Sequence, residues 1–272
     1  MSPRAALLRL KQGAFHLYQG RRVHRMVARF EPRTVEHEYA GQCLRVAVED
    51  PVGEDWYDKD WPEPDEIAFL RAHGLGAGAR VFDIGAHQGV VAMILARHVA
   101  PGTVLAVEAV PHNVRVAERN LALNDIANVT IEHTAISDSD GELYIPGTLN
   151  AHVSSANGAG LLAVPAVTID TLAARHGAPD IVFVDVEGYE LRALAGARHV
   201  LAHIRPRWFI EVHVGVGLED AGGSAGELTA TLTEAGYRMF GAPVDASSPF
   251  RPIAADDPLT RNHFFLVALP AE

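Results

Sequence analysis

Apolar positions in this chain fall into short blocks of two alternating kinds. Val81, Phe82 and Ile84 form a compact run, and a longer run over residues 90–99 is stopped by Pro101 and Gly102. The first has the length of a buried strand and the second that of a buried helix. Residues 104–108 repeat the strand pattern. Residues 111–124 repeat the helix pattern, with Val114, Ala117 and Leu121 on one face. Further strands are predicted over 129–136, 142–145, 181–185 and 208–213. Helices are predicted from Thr168 to near Gly177 and over 191–201 and 227–235. A closing antiparallel ribbon is expected from 237–240 and 263–267. Strand-helix alternation of this kind specifies a parallel sheet.

The first part of the chain reads differently. Residues 4–33 mix Arg4, Arg9, Lys11, Arg21, Arg22, Arg25, Arg29 and Arg33 with apolar residues such as Leu7, Phe15 and Met26. One or two amphipathic helices are expected, packed on the domain or on a second copy rather than on a membrane surface. Residues 35–48 read as a hairpin turning at Gly41-Gln42. Residues 50–65 read as a connecting loop carrying Trp56, Tyr57 and Trp61, and residues 66–73 as a helix. The expected division is an extension over 1–62, serving as substrate cap or dimer contact, and a ligand-binding domain over 63–272.

Composition narrows the function classes. Of 272 residues, 48% are hydrophobic, enough for a sizeable core. The net charge of −11 disfavours a nucleic-acid partner, whose phosphates need a positive surface. No apolar run approaches the ~20 residues of a bilayer span, so stable membrane insertion is not expected. Cys43 is the single cysteine, which excludes an internal disulfide and fits a cytoplasmic setting.

The candidate chemistry gathers at the predicted strand ends, where open α/β sheets bind ligands. Asp83 ends the first strand, and Gly85 and Gly89 bracket the turn into a helix N-terminus, where free N–H groups await a polar ligand. The spacing is G-x-x-x-G, not the G-x-G-x-x-G of dinucleotide sites. A carboxylate there suits a cationic ligand, such as the ammonium and sulfonium of S-adenosylmethionine. Glu108, ending the second strand, suits a ribose diol. Asp185 with Glu187, and Glu211 with His213, share a face at two-residue spacing. Such a group can deprotonate a hydroxyl or hold a divalent metal.

These residues, in this order, resemble the FkbM family of S-adenosylmethionine-dependent methyltransferases. The resemblance is carried by Phe-Asp-Ile-Gly-Ala-His-Gln-Gly at 82–89, Val-Glu-Ala-Val-Pro at 107–111 with Asn113, Asn120 and Asn124, and Thr-Ile-Asp-Thr-Leu at 168–172. Asp-Val-Glu-Gly-Tyr-Glu at 185–190 and Glu-Val-His at 211–213 complete it. It implies an α/β class I methyltransferase fold, Rossmann-like, with a seven-stranded mostly parallel sheet and a final antiparallel strand. It further implies O-methylation of a hydroxyl on a small-molecule acceptor, a natural product or sugar. The cofactor set implied is Asp83, Gly85, Ala86, His87, Gly89, Glu108, Ala109, Asn113, Ala135, Ile136 and Ser137. Asp185, Glu211 and His213 are the catalytic candidates, with His213 as a base or the group as a metal site. The fourth and fifth strands are expected to flank the first. Two departures stand out: His87 replaces the usual Asn, and Phe183 stands where many members carry Lys. A nicotinamide-dependent oxidoreductase, or a catalytically silent cofactor-binding protein on the same fold, are the alternatives.

Overall fold

The computed structural model describes residues 22–149, 161–244 and 248–271. Residues 22–29 form a helix, α1, and the basic segment before it lies outside the described residues. A hairpin follows, β1 (Arg33–Tyr39) and β2 (Gln42–Val48), then α2 (Pro51–Tyr57) and α3 (Asp65–Ala72). The alternating part begins with β3 (Arg80–Ile84), α4 (Val90–Val99), β4 (Thr103–Glu108), α5 (Pro111–Leu123) and β5 (Val129–His133). Then come β6 (Ala135–Ile136), β7 (Gly141–Pro146), β8 (Leu161–Val167), α6 (Ile169–His176) and β9 (Ile181–Val184). The chain closes with α7 (Glu190–Ala195), a wide helical turn over Val200–Ile204, β10 (Arg207–Val212), α8 (Ala225–Glu234), β11 (Tyr237–Pro243), β12 (Arg251–Ile253) and β13 (Phe264–Pro270).

The main sheet has eight strands in the order β12-β11-β13-β10-β9-β3-β4-β5. β10, β9, β3, β4 and β5 pair in parallel. β13 runs antiparallel between β10 and β11, and the short β12 adds an edge beyond the seven expected strands. Order reverses at β3, which has β4 on one side and β9 on the other, so a crevice opens at the carboxyl ends of these strands. Both faces are covered, which is why these strands read as near-continuous apolar runs. Phe82, Ile84, Val182, Val184 and Ile210 pack under α6, α7 and α8. Val81, Ile181, Phe183 and Phe209 pack with α4, α3 and the β1–β2 hairpin. Among the described residues, no helix is long and apolar enough to cross a membrane.

Several expectations need correction. Residues 50–65 are not one loop: Asp50 caps α2, accepting from the backbone N–H groups of Val52 and Gly53, with Pro51 in the first turn. The strand over 129–136 breaks at Thr134, and β6 leaves the main sheet to join β8 and β7 in a three-stranded side sheet. β8 was hidden because Pro165 interrupts its apolar run, although Pro is tolerated at exposed strand positions. The helix over 191–201 is split at Gly196, where a Cβ would meet the Ser137 carbonyl at 2.2 Å. β10 lies beyond β9 and does not touch β3, so the fourth and fifth strands do not flank the first. The loop over 150–160, with His152 and Ser154, lies outside the described residues.

Candidate active site

A narrow cavity sits at the carboxyl ends of β3 and β4. Gly85, His87, Glu108, Ala109, Asn113, Ala135, Ile136, Trp56 and Asp185 are on its wall. Gly85 is in the left-handed region at φ 92°, and a Cβ there would lie 1.7 Å from the Asp185 carbonyl oxygen. Only glycine lets the two strand ends approach this closely. Gly89 takes φ 77° as the N-cap of α4.

Glu108 organises the turn. One carboxylate oxygen accepts from the His87 backbone N–H at 2.9 Å, and the other from that of Val110 at 2.7 Å. Burial nevertheless pushes its carboxyl up to about 7. Burial, aided by Glu108, does the same to Asp83, also to about 7. Asp83 is on the strand face toward α4 and is not part of the cavity wall, and the same holds for Ala86, Gly89 and Ser137. Sequence spacing placed all four near the ligand. The pleat turns Asp83 away, Ala86 and Gly89 close the turn through a backbone hydrogen bond, and the Ser137 backbone N–H donates to the Val167 carbonyl at the end of β8.

His87 has a partner that sequence reasoning missed. The Tyr57 hydroxyl lies 2.7 Å from its Nδ1, and the Trp56 ring centroid is 4.9 Å from its own. Burial pulls His87 down to about 4, so the ring is neutral at physiological pH. A hydroxyl donating to Nδ1 leaves the proton on Nε2. Nε2 is buried near the Leu149 backbone but makes no well-aligned hydrogen bond, and Asn113 Oδ1 is buried without a hydrogen-bond partner among the described residues. Orphaned polar atoms on a cavity wall fit a polar ligand, because leaving them unmade is costly.

A second, wider cavity of about 480 Å³ adjoins the first. Trp56, Asp185, Glu187, Glu211, His213, Val216 and His263 line it. Trp56, Asp185 and Glu187 are thus common to both, whereas Glu211 belongs to the wide cavity alone. His213 Nε2 faces Glu187 at 3.3 Å, Asp185 at 3.7 Å and Glu211 at 3.8 Å. Its Nδ1 is 2.7 Å from Glu190 Oε1, and Glu190 is wholly buried. Burial alone would lower the His213 pKa, but the Glu190 hydrogen bond and the surrounding carboxylates raise it to about 9. Burial and then Glu211 hold Asp185 well above the carboxylate range. Sequence reasoning thus brought Asp185, Glu211 and His213 to one cavity. It left out His263, which precedes β13 and reaches the site because β13 pairs with β10, with Val212 opposite Phe264. Phe183 is buried against Phe209 and lines neither cavity.

A family model described as the Methyltransferase FkbM domain matches residues 83–239, more than half of the chain. The chain belongs to the FkbM methyltransferase family. Its mostly parallel sheet, with β13 antiparallel between β10 and β11, is the α/β arrangement that the sequence resemblance implied. Among solved structures, a methyltransferase FkbM from Methylobacillus flagellatus is similar at 18% identity and TM-score 0.47, covering 70% of this chain and 43% of that one. The chain therefore spans less than half the length of that relative. An S-adenosylmethionine-dependent O-methyltransferase from Thermotoga maritima is similar at 15% identity and TM-score 0.47, covering 88% of this chain and 78% of that one. Aeropyrum pernix fibrillarin, with natively bound S-adenosylmethionine, is similar at 15% identity and TM-score 0.42, covering 72% and 68%. No curated protein matches the sequence.

Proposed function

We propose that this FkbM methyltransferase methylates a hydroxyl of a small molecule, a natural product or sugar. One observation carries the reading: the narrow cavity and the wide one share Trp56, Asp185 and Glu187. A donor in the first can therefore present its reactive end to an acceptor in the second. S-adenosylmethionine supplies an electrophilic methyl group when bound. Glu108 is suited to its ribose, with His87 Nε2 and Asn113 Oδ1 as further polar contacts.

The wide cavity suits the acceptor. An alcohol is a weak nucleophile, and a group at hydrogen-bond distance must take its proton. His213 is a poor candidate at neutral pH, since a ring with pKa about 9 already carries its proton. Burial holds Asp185 well above the carboxylate range, so the carboxylates of Glu187 and Glu211 are the acceptors that remain at this wall. Trp56, 36% exposed, offers an apolar face for a sugar ring or carbon skeleton.

The test is isotope transfer. Methyl-labelled S-adenosylmethionine is incubated with the protein and a panel of sugars, polyols and phenols, and labelled ether is sought by mass spectrometry. Label on an oxygen supports the reading. Label only on nitrogen, or cofactor binding with no transfer to any hydroxyl, overturns it.

A further inference from the structure

The wall of the wide cavity holds three carboxylates and two imidazoles, Asp185, Glu187, Glu211, His213 and His263, and neither Lys nor Arg. Glu190 stands directly behind His213. Two imidazoles cannot neutralise four carboxylates, so the cluster must take up either protons or a further cation. The placement beside the acceptor rests on the function proposed above, whereas the site itself rests on its geometry.

We propose that these side chains form a binding site for one divalent first-row transition-metal ion. The first argument is distance. Donor atoms of Asp185, Glu187 and His213 lie within 4.8 Å of one another, and so do those of Glu211, His213 and His263. Bonds of about 2.0–2.2 Å to nitrogen and oxygen place donors at up to about 4.4 Å across a metal. Donors on opposite sides of a metal would need to close by only a few tenths of an ångström, and adjacent donors by more, within the reach of side-chain rotation.

The second argument is the state of the donor atoms. Asp185 Oδ1 is buried and has no hydrogen bond. His263 Nε2 lies 2.9 Å from Glu211 Oε1 but is not aligned to donate to it. His213 is 4% exposed and turns Nε2 toward all three carboxylates. Asp185 Oδ1 and His263 Nε2 thus stand buried beside this imidazole without a hydrogen bond of their own.

The third argument is Glu190. A metal-bound imidazole commonly donates its other N–H to a carboxylate, which fixes the ring and raises its basicity. His213 Nδ1 and Glu190 Oε1 at 2.7 Å supply this contact, and the Gly188 backbone N–H holds the same Glu190 oxygen at 2.8 Å. Imidazole together with carboxylate favours Mn²⁺, Fe²⁺ or Zn²⁺ over Ca²⁺ and Mg²⁺. A metal here would supply a Lewis acid to an acceptor hydroxyl.

The test uses the full chain, stripped with a chelator and dialysed. Calorimetric titration with MnCl₂, and loss of the free Mn²⁺ electron paramagnetic resonance signal, should both give one ion per chain. His213→Ala should abolish binding, and Glu190→Gln should weaken it about 10–100-fold. His263→Ala, at a less buried position, should weaken it also and serves if His213→Ala fails to fold. No stoichiometric binding of Mn²⁺ or Zn²⁺, or equal affinity in the wild type and the variants, would overturn the proposal. Saturable binding of a simple alkylamine together with no binding of Mn²⁺ would overturn the proposal and assign the pocket to a cationic acceptor instead. A melting-temperature rise with S-adenosylhomocysteine reports the cofactor side independently, so a failed metal site and a failed function reading give different results.

Discussion

The imidazole of His213 donates to a carboxylate of Glu190 that has no exposure to solvent. This pair fixes the ring before any ligand arrives. It also makes folding stability depend on pH. The folded-state pKa of about 9 is above the ordinary value of 6.5, so the contribution is complete below about pH 6.5. It is lost as pH rises from there through about 9. Thermal melts of the metal-free protein should show stability declining across this window. Glu190→Gln should lower stability and flatten the decline. A wild-type profile level from about pH 6.5 to 9 would remove the ion pair from the folded state.

Cofactor affinity should have its own pH dependence. In the ligand-free protein Glu108 is half-protonated near pH 7, and a ribose diol donates better to the ionised form. S-adenosylhomocysteine should therefore bind more tightly as pH rises from about 6 to about 8, and level off above. Glu108→Gln should weaken binding by about 1.5–3 kcal/mol and remove most of that dependence. Calorimetry at several pH values checks both. Gln is the informative replacement, because Ala would also strip acceptors from the His87 and Val110 backbone N–H groups.

Trp56 should separate the two cavities functionally. It belongs to both walls and is partly exposed, so Trp56→Ala should fold normally. The expected effect is a KM for the acceptor raised by about tenfold, with a much smaller change in the Kd of S-adenosylhomocysteine. Equal losses on both sides would show that the indole serves the cofactor instead.

Asp50 should prove a structural residue near the site. It is fully buried, caps α2 and accepts from Gln88 at 2.7 Å, with His112 at 2.8 Å. Asp50→Ala should destabilise the fold by about 1–3 kcal/mol, from the lost cap and the stranded Gln88 amide. Denaturant titration measures this. A change below about 0.5 kcal/mol would mean that water replaces the carboxylate.

Gly85→Ala should fail more severely. The left-handed φ and the Asp185 carbonyl both reject a methyl group. Little folded protein is expected, and a well-folded variant would show that the two strand ends can separate.

The parallel sheet was legible because β3, β4, β9 and β10 are buried on both faces and therefore apolar throughout. Its order needed more: nothing local in Trp208 or Phe209 says that β9 separates β10 from β3. The side sheet escaped notice because β6 is two residues long and β8 carries Pro165. At the site, Glu108 and the Gly85 turn were legible because their types are tied to a strand end. His263 was not, since it is about 50 residues past His213 and arrives by strand pairing alone. Tyr57 and Trp56 were seen as aromatic, but their helix was missed, because a capped helix of seven residues has little periodicity to show.

The β1–β2 hairpin has a consequence for how the chain is made. Its buried Tyr39, Leu44 and Val46 share a core with α4, and Ala47 and Arg45 donate backbone N–H groups to Asn120 and Asn124 on and just after α5. Those partners are 73 and 79 residues further along. At about 5–20 residues per second, synthesis reaches them about 4–15 s after the hairpin. For that interval the ribosome-bound chain carries a local hairpin with an apolar face and no surface to lay it on. Nascent-chain proteolysis should find it vulnerable until the second βα unit has emerged, so this early segment settles only with elements made well after it.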